Sequence, residues 1–195
     1  MIRFCDIVFC FFGQLFLSPL FLLVALWIVL DNPGPVFYRQ QRVGKDGRDF
    51  GLLKFRSMRV GADKMSQLTV GDRDPRITRA GYYIRKYKLD ELPQLINVLI
   101  GDMSLVGPRP EVRRYVNLYT PEQRKVLSVR PGITDYASIE YIDENRLLAQ
   151  SADPDKTYIE EIMPAKIALN MRYINHRTIG EYMKIIFLTI TKIIR

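Results

Sequence analysis

Two adjacent carboxylates, Asp90 and Glu91, are the residues of this sequence best suited to chemistry. Three bases stand just before them at positions 85, 86 and 88, and Leu92-Pro93 follows. A carboxylate pair can hold Mg²⁺, which prefers oxygen ligands. An Asp-Glu pair is also typical of a solvated helix start, where negative charge is favourable. The pair by itself therefore leaves a metal site and an ordinary helix start both open.

A second group of side chains can clamp phosphate. Lys54, Arg56 and Arg59 lie together in "KFRSMR", and Arg109 lies in "GPRPE". A guanidinium fork matches phosphate oxygens, but surface salt bridges use the same side chains. His176, the single histidine, lies in a polar helical stretch, which favours a surface or packing role. The sequence contains no His/Cys cluster, no Ser/His/Asp set and no P-loop motif.

Length and charge limit the classes of function. The 195 residues fit one domain of ordinary size. The net charge of +8 arises after residue 30, because residues 1–30 contain only Arg3 and Asp6 as charged groups. Such an excess suits nucleic acid, anionic lipid or phosphorylated substrates, and the count does not choose among them. Cys5 and Cys10 lie in the apolar leader and fit a reduced compartment.

The N-terminal segment is apolar enough to enter a membrane. Ile7 to Leu30 is a run of 24 uncharged residues, about 36 Å long as a straight helix. Ser18-Pro19 interrupts it, because Pro19 has no N–H for the carbonyl of Leu15 and Ser18 can bond back to Gln14 or Leu15. Two readings remain open at this point: a spanning helix with a tolerated kink, or two arms of about 18 Å that dip in and return. Either way, the positive-inside rule places the bulk of the chain in the cytoplasm.

The rest of the chain predicts a small, mostly helical α+β domain. Apolar and aromatic residues on both sides of "KDG" predict a β-hairpin, and two helical patterns follow, one ending near Lys88 and one spanning about Leu92 to Leu99. The final segment, 179–195, has a helical stripe of six apolar residues with bases on the other side. This pattern indicates an interfacial helix, although a core-packing helix would look similar. The stripe consists of Ile179, Met183, Ile186, Ile190, Ile193 and Ile194, and the bases are Lys184, Lys192 and Arg195.

Motifs along almost the whole chain resemble one known family. "GPVFYRQQRVGKDG", "KFRSM", "DPRITRAG", "LDELPQLINVLIGDMSLVGPRPE" and "RPGIT" follow in this order after a leader containing Ser-Pro. Together they closely resemble the bacterial sugar transferases that are monotopic phosphoglycosyl transferases, in their minimal catalytic form. The resemblance implies transfer of a phosphosugar from a nucleoside diphosphate sugar, expected to be a UDP-sugar, to polyprenol phosphate, expected to be undecaprenyl phosphate. Such a reaction uses Mg²⁺ and initiates the assembly of a glycoconjugate or polysaccharide.

The resemblance also implies roles for individual residues. It makes Asp90 the nucleophile that carries the phosphosugar as a covalent aspartyl intermediate, and it assigns Glu91 to the metal. It matches Lys54, Arg56 and Arg109 to phosphate-binding positions. One departure concerns the segment after "RPGIT", which in this family most often reads "GWAQVNGR" and here reads "DYASIEYIDE". The departure leaves the sugar undetermined.

The family's topology implies that the helix broken at Ser18-Pro19 re-enters the membrane. Residues 1–30 would then form the membrane helix, and residues 31–195 a catalytic domain on the cytoplasmic face of the bacterial inner membrane. The expected partners are a nucleotide sugar, polyprenol phosphate and membrane lipid, without nucleic acid, while a homodimer is left open. Two competing hypotheses are a membrane-tethered nucleic-acid binder and a non-catalytic scaffold of a glycan assembly complex; neither needs Asp90 and Glu91 beside phosphate-type bases.

Overall fold

The computed structural model describes residues 1–62 and 74–194, and it has the predicted α+β character. The helices are α1 (Ile2–Asp31), α2 (Arg79–Lys86), α3 (Gln94–Ile100), α4 (Arg113–Val116), α5 (Tyr136–Glu140), α6 (Glu144–Ala149), α7 (Pro154–Thr157), α8 (Met163–Asn175) and α9 (Ile179–Ile194). The strands are β1 (Phe37–Val43), β2 (Asp49–Phe55), β3 (Ser104–Val106) and β4 (Gly132–Thr134). Short 3₁₀ segments cover Lys45–Gly47, Leu89–Glu91 and Gln123–Ser128, and a π-helical turn covers Tyr158–Ile162.

The predicted hairpin is confirmed. Strands β1 and β2 pair antiparallel, with Phe37 opposite Phe55 and Val43 opposite Asp49. The turn is the 3₁₀ segment at "KDG", where Asp46 and Gly47 have φ of 57° and 74°. These left-handed values suit Asp and Gly, which tolerate that conformation better than most residues. The hairpin fixes the position of Lys54 on β2.

A second, smaller sheet joins distant parts of the chain. Strands β3 and β4 pair in parallel, with Ser104 opposite Gly132 and Val106 opposite Thr134. The backbones come so close beyond β3 that a Cβ on Gly132 would lie 2.1 Å from the amide nitrogen of Gly107. Only glycine permits this approach. The pairing places the "GPRPE" loop directly against the segment that follows "RPGIT".

Helix α3 is locked to the hairpin through one buried amide. Asn97 donates to the carbonyl of Gly51 at 2.9 Å and accepts from the N–H of Leu53 at 2.8 Å. The side chain therefore continues the hydrogen bonding of the β2 edge, and it is almost fully buried. The residues just before α3 are therefore held beside β2.

Both ends of α1 are held by the same globular domain. At the N-terminal end, Arg3 donates to the carbonyls of Val98 and Leu99 at 2.5 and 2.9 Å. The buried carboxylate of Asp6 accepts hydrogen bonds of 2.9 Å from the Ser104 hydroxyl, the Leu105 N–H and the Tyr182 hydroxyl.

At the C-terminal end, Asp31 accepts from the N–H of Ala80 at 3.0 Å. Val24 and Ile28 pack beside it against Phe55 and Ile84. The 30 residues of α1, with a mean hydropathy of 2.3 in their most apolar window, are long and apolar enough to cross a membrane. Their middle part carries an exposed apolar surface of Phe11, Phe12, Leu15, Phe16, Leu22 and Leu23.

At the Ser18-Pro19 step, the predicted back-bond of Ser18 is present, while α1 continues as one helix through Pro19. The Ser18 hydroxyl donates to the carbonyl of Leu15 at 2.8 Å, one of the two acceptors expected. Pro19 lies inside α1, which is helical from Ile2 to Asp31. The re-entrant path of this helix and the domain division at residue 30 stay predictions.

Helix α9 has one core face and one exposed apolar face. Tyr182 and Ile185 are fully buried, whereas the exposed apolar residues are Ile179, Met183, Phe187 and Ile190. Ile186, which the sequence pattern places on the exposed stripe, packs against the core instead. Thr189 hydrogen-bonds Thr134 of β4 at 2.6 Å, and Glu181 accepts from the hydroxyl of Tyr136 at the start of α5. Arg195 and the side chains of Ile193 and Ile194 lie outside the described part of the chain.

We expect Asp6→Asn to destabilise the protein by about 2 kcal/mol, because the amide loses the charge that strengthens three buried hydrogen bonds. Thermal unfolding of the detergent-solubilised chain, followed by circular dichroism, measures this effect. Asp143→Asn is the matched control, since Asp143 is exposed and makes no side-chain cap. Equal unfolding midpoints for the two variants would show that the N-terminus of α1 is not anchored through Asp6.

Candidate active site

Asp90 and Glu91 lie on the 3₁₀ turn between α2 and α3. The chain leaves α2 through Lys88, which has a φ of 53° and is thus in the left-handed region. A non-glycine residue there costs about 1 kcal/mol. The turn redirects the backbone so that both carboxylates lie beside β2 and its Lys54.

Glu91 is bound by two bases from distant segments. Both terminal nitrogens of Arg109 contact its carboxylate, with Nη1 at 3.3 Å from Oε2 and Nη2 on Oε1. Nζ of Lys54 lies 3.7 Å from the same Oε1. Burial alone would raise the pKa of Glu91, but Arg109 and Lys54 outweigh it and lower the pKa to about 2. Glu91 is therefore fully ionised at neutral pH.

The pKa values of the two bases are shifted in opposite directions. Burial lowers the pKa of Lys54, and the nearby Arg109 adds to that effect against the attraction of Glu91. The Glu91 carboxylate raises the pKa of Arg109, so the guanidinium stays charged. Two bases therefore face one carboxylate, an arrangement in which they can also bind an anionic ligand.

Asp90 differs from its neighbour in having no such partner. Within the described residues, its carboxylate makes no ion pair. Burial raises its pKa, as does the charge of Glu91, while Lys54 and Arg85 act in the other direction. A desolvated carboxylate that is not committed to a base is available to react.

Arg56 is held away from this group. It directly follows strand β2, and its guanidinium donates to the carbonyls of Asn32 and Pro33 just after α1. It is 6% exposed, and burial lowers its pKa. The structure thus brings together Lys54, Glu91 and Arg109, with Asp90 beside them; phosphate binding by Arg56 stays a prediction. His176 lies exposed at the end of α8.

The sequence reasoning missed Arg42, which contacts the loop that carries Arg109. Its guanidinium donates to the carbonyl of Pro110 at 3.2 Å and lies 3.9 Å from the Glu111 carboxylate. The next residue, Val43, donates its N–H to the carbonyl of Glu111 at 2.8 Å. The hairpin thereby holds the loop that carries Arg109. The signal was present in the "YRQQRVG" motif, where Arg42 directly precedes the "VGKDG" turn region.

The carboxylate oxygens at this turn fit a Mg²⁺ ion that also binds a phosphate ligand. Within the described residues there is no group of three or more His, Cys, Asp and Glu side chains that could hold a metal ion alone. Mg²⁺ is usually held by one or two carboxylates together with substrate phosphates, and Asp90 and Glu91 supply that number. Because Glu91 faces two bases, a phosphate ligand that draws Arg109 away would free its oxygens.

The model of one protein family, described as "Bacterial sugar transferase", matches residues 1–195. This chain belongs to the bacterial sugar transferase family. Among its relatives is a UDP-N-acetylgalactosamine-undecaprenyl-phosphate N-acetylgalactosaminephosphotransferase of Aeromonas hydrophila, 41% identical over 91% of this chain and 40% of the relative. Another is a UDP-glucose:undecaprenyl-phosphate glucose-1-phosphate transferase of Escherichia coli (strain K12), 36% identical over 96% of this chain and 39% of the relative.

The length of the match differs among members of the family. This bacterial sugar transferase spans about two fifths of the two relatives above. It covers 86% of the exopolysaccharide production protein PSS of Rhizobium leguminosarum bv. phaseoli, with 40% identity over 90% of its own length. The relatives' names contain different sugars, so the likeness does not select one.

We expect Glu91→Gln to lower the free energy of unfolding of this transferase at pH 7 by about 2–3 kcal/mol, because Arg109 and Lys54 lose their shared counter-charge. A carboxylate with a lowered pKa stabilises the fold above its ordinary pKa of 4.5, and the contribution is lost as pH falls toward 2. The difference between wild type and variant should therefore shrink below pH 4.5. Chemical denaturation in detergent across this range is the measurement, with Glu122→Gln at an exposed position as control. A difference that does not change with pH would mean that Glu91 is not held ionised by the two bases.

Proposed function

We propose that this protein is a phosphoglycosyl transferase that moves a sugar-1-phosphate from a nucleoside diphosphate sugar to polyprenol phosphate through a covalent intermediate on Asp90. The observation that carries the proposal is the contrast between the two carboxylates. Glu91 is bound by Arg109 and Lys54, whereas Asp90 is desolvated and has no ion-pair partner within the described residues. Membership of the bacterial sugar transferase family supports the same reaction.

In the first step, a carboxylate oxygen of Asp90 attacks the phosphorus that bears the sugar. The new bond joins that oxygen to phosphorus, and the bond from phosphorus to the bridging oxygen breaks. The electron pair leaves with the nucleoside monophosphate. The nucleophile is already an anion, so the step needs no general base. Lys54 and Arg109 stabilise the charge on the transferred and leaving phosphates.

In the second step, a phosphate oxygen of polyprenol phosphate attacks the same phosphorus. The bond to Asp90 breaks, the carboxylate is restored, and the diphosphate-linked lipid product forms. Glu91 would hold Mg²⁺, which neutralises diphosphate charge when bound. One site can serve a soluble donor and a membrane-bound acceptor because the two visit in turn.

We propose further that α1 re-enters the membrane, so that the protein is monotopic on the cytoplasmic face of the bacterial inner membrane. A helix of 30 residues that crossed the bilayer would place its ends on opposite sides. Both ends of α1 instead bond to one domain, through Asp6 and through Asp31. The exposed apolar middle of α1 is the part left to enter lipid.

Exposed aromatic residues near the site support the proposal that it lies at the level of the lipid head groups. Trp27 of α1 stacks on Tyr83 of α2 with ring centroids 5.9 Å apart, and Tyr82 and Tyr87 are also exposed. Trp and Tyr are enriched at membrane interfaces. Phe187 on the exposed face of α9 would add a second contact with the membrane. Asp90 follows Tyr87 by three residues, so the reacting carboxylate would lie close to the acceptor's phosphate.

The relatives' names suggest a UDP-sugar as donor and undecaprenyl phosphate as acceptor. A role in initiating exopolysaccharide or another glycoconjugate agrees with the name of the relative that matches over most of its length. The sugar stays open because those names differ in sugar. The competing hypothesis of a non-catalytic scaffold does not agree with membership of a transferase family, and it would not require a carboxylate at position 90 without an ion-pair partner among the described residues.

We expect Asp90→Asn to abolish both turnover and the release of nucleoside monophosphate from the donor alone, because an amide is not a competent nucleophile. Wild-type protein incubated with donor should gain the mass of one phosphosugar on the peptide containing Asp90, and polyprenol phosphate should discharge it. Intact-protein and peptide mass spectrometry measure the adduct; Asp46→Asn, an exposed turn carboxylate, is the control. Nucleoside monophosphate that appears only with both substrates present would favour direct displacement. Unchanged activity of Asp90→Asn would remove Asp90 from the chemistry.

The topology proposal predicts that a protease-cleavable tag ahead of Met1 is cut in inside-out vesicles and protected in intact spheroplasts. Replacing both Ser18 and Pro19 by Leu should remove the helix break and reverse this pattern in part of the population. Leu22→Ile, at an exposed position of the same helix, is the control. Cleavage of the wild-type tag only from the periplasmic side would show that α1 spans the membrane.

A further inference from the structure

The segment that departs from the family's usual sequence begins with a buried carboxylate, Asp135, that reaches the candidate site. It is 1% exposed and accepts two backbone hydrogen bonds, one on each oxygen. Oδ2 accepts from the N–H of Arg109 at 2.9 Å, and Oδ1 accepts from the N–H of Ser138 at 2.5 Å. The first bond holds the backbone of Arg109, whose side chain binds Glu91. The second bond caps helix α5.

The backbone around Arg109 is fixed on both sides by other contacts. On one side, Gly107 donates to the carbonyl of Thr134 at 3.0 Å, and Gly132 donates to the carbonyl of Pro108 at 2.9 Å. On the other side, Arg42 donates to the carbonyl of Pro110. Asp135 supplies the bond at Arg109 itself, and its charge helps to raise the pKa of the guanidinium. The phosphate-type base therefore depends on the departing segment for its placement.

A helix cap alone does not account for this carboxylate. An N-cap needs one oxygen to accept from the first turn, and Ser serves as well as Asp. Asp135 uses its second oxygen outside the helix, on the loop that carries Arg109. A substitution that keeps the cap but removes the contact with Arg109 can therefore distinguish the two roles of Asp135.

We propose that Asp135 is a positioning residue that sets where Arg109 meets the donor's diphosphate. This proposal rests on the proposed function. The segment that follows "RPGIT" would then affect phosphate binding indirectly, through the backbone of Arg109. Such an effect changes the affinity for any donor with the same diphosphate, whichever sugar it carries.

The test compares Asp135→Ser with Asp153→Ser in the full-length, detergent-solubilised chain. Asp153 is an exposed N-cap that accepts from the N–H of Lys156 at 3.1 Å, so the control makes the same chemical change at a single-bond cap. The measurements are the thermal midpoint, KM and kcat for the nucleotide sugar, and the affinity for uridine diphosphate alone by calorimetry. We expect Asp135→Ser to raise KM and weaken uridine diphosphate binding by about tenfold, with a midpoint below that of the control, because it keeps the cap but removes the charge-assisted hydrogen bond to the N–H of Arg109.

The outcomes separate the two proposals. A KM and a uridine diphosphate affinity within twofold of the control would overturn the positioning role. Absence of transfer by wild-type protein would overturn the proposed function itself. Should Asp135→Ser fail to fold, Asp135→Asn keeps the volume of the side chain and must turn its NH₂ toward one of the two N–H donors. Because Asn is as good an N-cap as Asp, its oxygen is expected to keep the cap and its NH₂ to face Arg109. The same rise in KM is then expected, and an unchanged KM in a folded Asn variant would count against the proposal.

Discussion

The ion pair between Glu91 and Arg109, joined by Lys54, is the interaction on which the rest of the structure depends. Its three members come from a hairpin strand, a 3₁₀ turn and a loop after a short parallel strand. A buried charged group is costly unless it is paired and hydrogen-bonded, and such pairs often add little net stability. Each supporting element can be understood as holding one of these charges in place. Asn97 fixes the turn beside β2, and Arg42 fixes the loop beside β1.

This arrangement explains how two adjacent carboxylates can have different properties. Glu91 is stabilised as an anion by two bases, while burial makes ionisation of Asp90 less favourable. An incoming diphosphate competes with Glu91 for the same guanidinium. Under the proposed function, donor binding would exchange one anion for another on Arg109, whose guanidinium the fold already holds in place.

Local patterns were enough to predict part of this structure. The "KDG" turn predicted the hairpin because Asp and Gly accept left-handed backbone angles, and the helices on both sides of Asp90 follow from apolar spacing. Long-range contacts were not accessible in this way. The capture of Arg56 by the carbonyls of Asn32 and Pro33 joins two segments that no periodicity connects.

The same limit applies to the helix faces and to the second sheet. The pattern of α9 gave the helix but placed Ile186 on its exposed stripe and omitted Phe187, because the direction of the core depends on Tyr182 and its partner Asp6. The pairing of β3 with β4 involves three-residue strands, too short to carry an alternating pattern. The support of Arg109 by Asp135 followed only once that pairing was known.

The contact between Asp6 and Tyr182 spans 176 positions of the chain and has a consequence for biosynthesis. A ribosome adds about 5–20 residues per second, so tens of seconds at the slower rates separate the synthesis of these two residues. During that time the Asp6 carboxylate of α1 lacks the hydroxyl of Tyr182. The N-terminal end of α1 acquires the Tyr182 contact only after α9 has left the ribosome, so α9 completes the anchoring of α1.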